Sequence, residues 1–152
     1  MLVEIDTKIK EVEKTLKQLD YVTWNVSAKE FHDYMTGEIF SEDITTLQDV
    51  LDSKFLMLHE IVEISELKKM GRTINKQTIM KTPKTTIYEA HFTAMEYELN
   101  YALLRREYSW IRERLKQHKL VLIDDPCLPE KLKPRGEAIF ERFSKLIRKY
   151  TK

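Results

Sequence analysis

Residues 56–71 read LMLHEIVEISELKKMG, and this stretch sets the class of fold. Leu58 and Val62 continue a series upstream through Phe55, Leu51, Leu47 and Ile44, at spacings of three and four residues. That is the period of a helix buried along one face. The spacing predicts one helix capped by Ser41 or Asp43, running to Met70 and terminated by Gly71 in a left-handed conformation. Ile61 and Ile64 widen the apolar face, so this helix should touch more than one neighbour and lie centrally.

The same period recurs on both sides. Leu2, Ile5, Ile9, Val12, Leu16 and Leu19 form an a/d seam. Over so few heptads the seam suits packing within the chain's own bundle better than a free dimerisation arm, the alternative. Val22, Trp24 and Val26 fall on one side of a short extended segment or of a fraying helix end. Ser27 and Glu30 fit a capping box, opening a helix that carries Phe31 and Tyr34 and ends near Gly37. Residues 72–85 read as a connector because Pro83 opposes helix there, and Thr86 with Glu89 forms a second capping box. The helix it opens carries Tyr88, Phe92, Met95, Leu99 and Ala102, and either continues to Gln117 or turns at 105–109. VLIDDPCLP, residues 121–129, reads as a loop, and Ile139, Phe140, Phe143, Leu146, Ile147 and Tyr150 mark a last amphipathic helix. The expectation is a single all-α domain over residues 1–152, a compact bundle of about five or six mostly antiparallel helices.

Composition agrees. Charged residues are 34% of the chain, with 3 Gly and 4 Pro, so breakers are few. Cys127 stands alone and cannot form an intrachain disulfide. The N-terminus is charged from Glu4, and apolar runs such as Phe55–Leu58 fall far short of the ~20 residues a membrane span needs. A cytoplasmic protein without a membrane span is expected. Charge is uneven: residues 1–76 hold 10 basic and 15 acidic side chains, residues 77–152 hold 16 and 10.

One stripe on the central helix carries chemistry. His59, Glu63 and Glu66 fall within about 60° of one another on a helical wheel. His91 and Glu98, seven residues apart, share a stripe on the next helix. An antiparallel hairpin closed by the 72–85 connector sets Glu66 level with Glu89, Glu63 with His91 and His59 with Glu98. Two imidazoles and several carboxylates on facing helices can hold a divalent metal ion such as Zn, Fe or Mn. The simpler reading is a set of His–Glu hydrogen bonds keeping two helices in register, or two solvated edges.

Basic residues follow, with Lys68, Lys69, Arg72, Lys76, Lys81 and Lys84 and no acidic residue between Leu67 and Tyr88. Lys68, Lys69 and Arg72 are candidate phosphate anchors beside a metal held by carboxylates. The all-α nucleotide pyrophosphohydrolases use Glu-x-x-Glu followed by Glu-x-x-Asp. Glu60, Glu63 and Glu66 supply the first half, but the second is absent downstream. Within 63–81, Asn75, Lys76, Gln77 and Lys81 could face a nucleic-acid groove, although the turn is long for a helix-turn-helix. Arg112 and His118 match a spacing found in all-α ribonucleases, but chance alone supplies ~0.6 such pairs, and a solvated helix end explains them. Trp24, Trp110 and Cys127 read as structural.

Three functional readings follow. A helical interaction or scaffold protein, meeting a protein partner or a second copy of itself, asks least of the sequence. A metal-dependent enzyme acting on a phosphate-containing small molecule would use His59, Glu63, Glu66, His91 and Glu98. A nucleic-acid-binding module would use the basic stretch 68–84.

Overall fold

A computed structural model describes residues 1–39 and 45–150, and all regular structure among them is helical. The helices are α1 (Leu2–Gln18), α2 (Ala28–Met35), α3 (Leu47–Leu51), α4 (Lys54–Lys69), α5 (Thr78–Lys81), α6 (Lys84–Leu104), α7 (Tyr108–Gln117) and α8 (Lys133–Ile147). A π-helical turn follows α7, and short 3-10 turns flank α8. The count is eight rather than five or six: two expected helices are interrupted, and α5 forms a single helical turn within the segment 72–85 expected as a connector.

The first interruption lies ahead of the central helix. Ser53 is extended (φ −128°, ψ 118°) and its hydroxyl accepts the Leu56 N–H at 3.2 Å, so it caps α4 afresh. Thr46 caps α3 through a reciprocal box with Asp49. The long helix expected from Ser41 or Asp43 is therefore two helices; those two residues and Ile44 lie outside the described residues. The second interruption is at residues 105–107. Arg106 takes a left-handed φ of 58°, and the Glu107 N–H reaches back to the Ala102 carbonyl at 2.9 Å. This is the closure usually made by glycine at a helix end.

Other boundaries shift for local reasons. α6 begins at Lys84 with Pro83 as its cap, so Thr86 sits inside the first turn rather than capping it. A proline at this boundary has no N–H to leave unpaired. The segment expected as a loop at 121–129 begins within the π-helical turn His118–Ile123. Ser27 and Glu30 do form their capping box, and Gly71 ends α4 at φ 86°.

α4 and α6 form the antiparallel centre of the bundle, and they share the most extensive packing. α1, α2 and α3 cover α4, burying Ile5, Ile9, Val12, Leu16, Phe31, Tyr34, Val50 and Leu51 with Leu58, Ile61 and Val62. α7 and α8 cover the far side of α6, where Phe92, Met95, Leu99, Ile111, Leu115, Ile139 and Phe143 form a second core. Ile5, Ile9, Val12 and Leu16 of the α1 seam are thus consumed within the chain, while Leu2 at its start is exposed. Val22 and Trp24, by contrast, stand in solvent, Trp24 at 50% exposure, because Tyr21 and Val26 take the inward positions of that segment. No described helix is long and apolar enough to cross a membrane.

Candidate functional site

Because α4 lies between two layers, residues at the edge of its apolar stripe are covered too. His59 and Glu63, one turn apart on α4, are buried, and so is Glu98 on α6. Ionisable groups in that position must find partners. Glu98 finds four: His59 Nδ1 at 2.8 Å, Trp110 Nε1 at 2.8 Å, and Arg114 Nε and Nη2 at 2.7 and 2.9 Å. Trp110 and Arg114, one turn apart on α7, reach the same carboxylate from one side.

His59 is fixed by this carboxylate, and its other nitrogen faces a small polar group. His59 Nε2 lies 3.1 Å from Glu63 Oε2 and 3.2 Å from His91 Nδ1, and His91 Nδ1 lies 3.2 Å from Glu63 Oε2. Three heteroatoms from three side chains thus form a nearly equilateral triangle. The second oxygen of Glu63, Oε1, accepts the hydroxyl of Tyr34 on α2. The side chain of His91 is 23% exposed, so solvent reaches the triangle.

The electrostatics follow from these contacts. Burial favours neutral His59, but hydrogen bonds to Glu63 and Glu98 outweigh it and raise its pKa to about 10. Burial disfavours charge on Glu63 too, yet the bonds to His59 and His91 hold its carboxyl well below the usual range. Glu98 is held at about 2 against its own burial, by the Arg114 charge and by His59. His91 is lowered, chiefly by burial and by the nearby His59, against a bond to Glu63 that raises it.

A cavity of about 490 Å³ opens beside the triangle. Its walls include His59, Glu63 and His91 together with Leu56, Met95 and Arg114. No protein-family model matches this chain, and no curated protein or solved structure shows significant similarity to it. The site must be read from its own geometry.

Of the candidates read from sequence, His59, Glu63 and His91 meet directly and Glu98 stands behind His59. Glu66 does not join them: its carboxylate accepts Tyr21 Oη at 2.6 Å and pairs with Lys69 at 3.2 Å. Lys68 is held by Glu30 at 2.9 Å and by the Asn25 carbonyl at 2.5 Å. Neither lysine, nor Arg72, lines the cavity. The stretch 68–84 contributes the four-residue helix α5, with Thr78 turned inward. Tyr34, Trp110, Arg114 and His118 carry no signal in the sequence that would place them at the site. His118, far from being a solvated helix end, is only 1% exposed.

Proposed function

We propose that His59 Nε2, Glu63 Oε2 and His91 Nδ1 bind one divalent transition-metal ion, and that the protein is a metal-dependent enzyme acting on a small molecule admitted to the cavity. The triangle, with edges of 3.1 to 3.2 Å, carries this reading. Ligands about 2.0–2.1 Å from one ion stand roughly 2.9 Å apart at right angles and about 3.4 Å apart in a tetrahedron. The observed edges fall between those values.

The surrounding bonds support the same reading. Each of two ligands has its other polar atom anchored: His59 Nδ1 by Glu98, and Glu63 Oε1 by Tyr34. A carboxylate behind a ligating histidine fixes its tautomer and raises its basicity. Held by three protein ligands, an ion could take further ligands, and it would supply a bound water of pKa about 7 and polarise a substrate oxygen, the chemistry of metal-assisted hydrolysis. A volume of about 490 Å³ suits a small organic ligand. The interaction reading gains little from the α1 seam, since Ile5, Ile9, Val12 and Leu16 are buried against the bundle.

Elemental analysis of protein purified without chelator or affinity metal tests this, beside His59→Ala and His91→Ala. Near-stoichiometric Zn, Fe or Mn in the wild type, lost in both variants, is the expected result. Wild-type protein that stays metal-free after exposure to Zn(II), Fe(II) and Mn(II) would overturn the proposal, as would metal retained in both variants.

A further inference from the structure

One polar side chain on the cavity wall has no part in the triangle. His118, in the π-helical turn after α7, lines the cavity while remaining almost wholly buried. Its Nε2 lies 2.9 Å from the Gly136 carbonyl, and its ring meets that of Phe92 edge to face, with centroids 5.8 Å apart. Burial lowers its pKa to about 4, so the ring is neutral. A carbonyl only accepts, so Nε2 carries the one proton and Nδ1 is a bare lone pair. That Nδ1 has no hydrogen-bond partner among the described residues. Buried acceptors are paired as a rule, and a ligand in the cavity can bring the donor.

The surroundings of His118 favour one kind of donor. Of the charges that act most strongly on it, Arg114 and Glu98 are opposite in sign and paired with each other at 2.7 Å. The third group, His91, belongs to the proposed metal site, where a bound ion adds positive charge. None of these draws a cation to Nδ1. An ammonium buried beside the Phe92 ring would also lose its hydration, a far larger cost than a hydroxyl or an amide meets. Leu56, Ile87, Met95 and Leu122 offer an apolar surface for the remainder of a ligand.

We infer that the small molecule bound in the cavity carries an uncharged hydrogen-bond donor, an alcohol hydroxyl or an amide N–H, and that His118 Nδ1 accepts it. The inference rests on the metal reading and names the ligand class of that same site. His118 is then a specificity-determining residue, distinct from the metal ligands. A site that pairs a buried acceptor with a ligand O–H or N–H rejects the analogue that lacks it, because the acceptor is left bare.

Zinc-loaded protein tests this with hydroxamates, which chelate the ion through one end. The free end is a hydroxyl, a primary amide, an ammonium or a methyl group, each in three chain lengths so that no reach is presumed. Calorimetry gives the affinities, and the imidazole 15N resonances of histidine-labelled protein report the lone pair of His118. For at least one length the hydroxyl or the amide probe should bind wild-type protein about tenfold tighter than its methyl counterpart. The ammonium probe should gain nothing over methyl. The Nδ1 resonance of His118 should move upfield with the preferred probe and stay in place with methyl. The preference should vanish in His118→Leu and persist in His118→Asn, which keeps an acceptor near the position of Nδ1, while zinc uptake is the same in all three. Equal affinity of the hydroxyl, amide and methyl probes at every length overturns the inference whether or not either variant folds. So does a preference that leaves the Nδ1 resonance unmoved or survives His118→Leu, an ammonium probe that binds tightest, or zinc-loaded protein that binds no hydroxamate. In each of those outcomes zinc is bound and the metal reading stands. Failure to take up zinc instead sinks the metal reading, and this inference with it.

Discussion

Replacing Glu98 by Gln tests the arrangement behind the proposed metal site. The carboxylate is buried and receives four hydrogen bonds, two on each oxygen. An amide keeps one accepting oxygen and turns an NH2 group toward two donors. It therefore breaks two bonds at once and removes the Glu98 charge from the Arg114 guanidinium, whose side chain is only 17% exposed. Removing one partner of such a buried pair costs about 3–5 kcal/mol. In a chain of this length each kcal/mol moves the midpoint of thermal unfolding by about 2–4 °C, so a fall of roughly 10 °C is expected. Urea denaturation of metal-free protein should show the loss as a lower midpoint at unchanged slope. Glu98→Leu combined with Arg114→Leu should lie closer to wild type, because an apolar pair leaves no unpaired charge. Metal affinity should also fall about 10–100-fold in Glu98→Gln, since His59 loses its orienting partner. A stability loss below ~1 kcal/mol, with the Leu/Leu variant the worse of the two, would refute the claim that charge pairing controls this position.

Other outcomes follow from single positions. His118 has its pKa lowered to about 4 from 6.5, chiefly by burial. It therefore contributes stability that is whole above 6.5 and is lost as pH falls toward 4, about 3 kcal/mol in all; a pH series of urea midpoints should show a fall that His118→Leu flattens. A Cβ at Gly37 would stand 2.5 Å from the Lys76 carbonyl oxygen and 2.9 Å from its Cα, so Gly37→Ala should disrupt the Glu38 N–H bond to that carbonyl. Its cost, about 1–3 kcal/mol by chemical denaturation, arises from backbone that cannot step aside. Ile9→Asp should unfold the chain, read as lost helical circular dichroism, since Ile9 is buried against its own bundle; a folded variant of halved mass would contradict this.

The parts of this fold legible in the sequence are those fixed by periodicity. The α4 and α6 stripes gave both their helices and, through a short connector, the relative height of His59, Glu63, His91 and Glu98. Two helices of known period joined by few residues leave little freedom in register. The contacts of Trp110, Arg114 and His118 depend instead on how α7 returns after residues 105–107. That turn is made by Arg106 in a left-handed conformation, which no glycine or proline announces. The break between α3 and α4 was likewise hidden, because Ser53 reads as an ordinary polar position inside a helix until its hydroxyl is seen to cap one.

Glu66 shows why a stripe is not yet a site. It shares the line of His59 and Glu63, but one further turn along α4 it meets Tyr21 rather than α6 or α7. The residues that do converge are held by more partners than register would need. One His–Glu pair suffices to align two helices, whereas here His59, Glu63 and Glu98 are buried together with contacts from Tyr34, Trp110 and Arg114. Buried ion pairs are replaced by apolar side chains with little loss of stability, so stability alone does not account for such a network. Two of its members, His59 and Glu63, line the cavity, and His59 Nδ1 and Glu63 Oε1 are tied down by Glu98 and Tyr34. Anchoring the far side of a ligand while leaving the near side in reach of solvent and of His91 is what holding an ion requires and what packing does not.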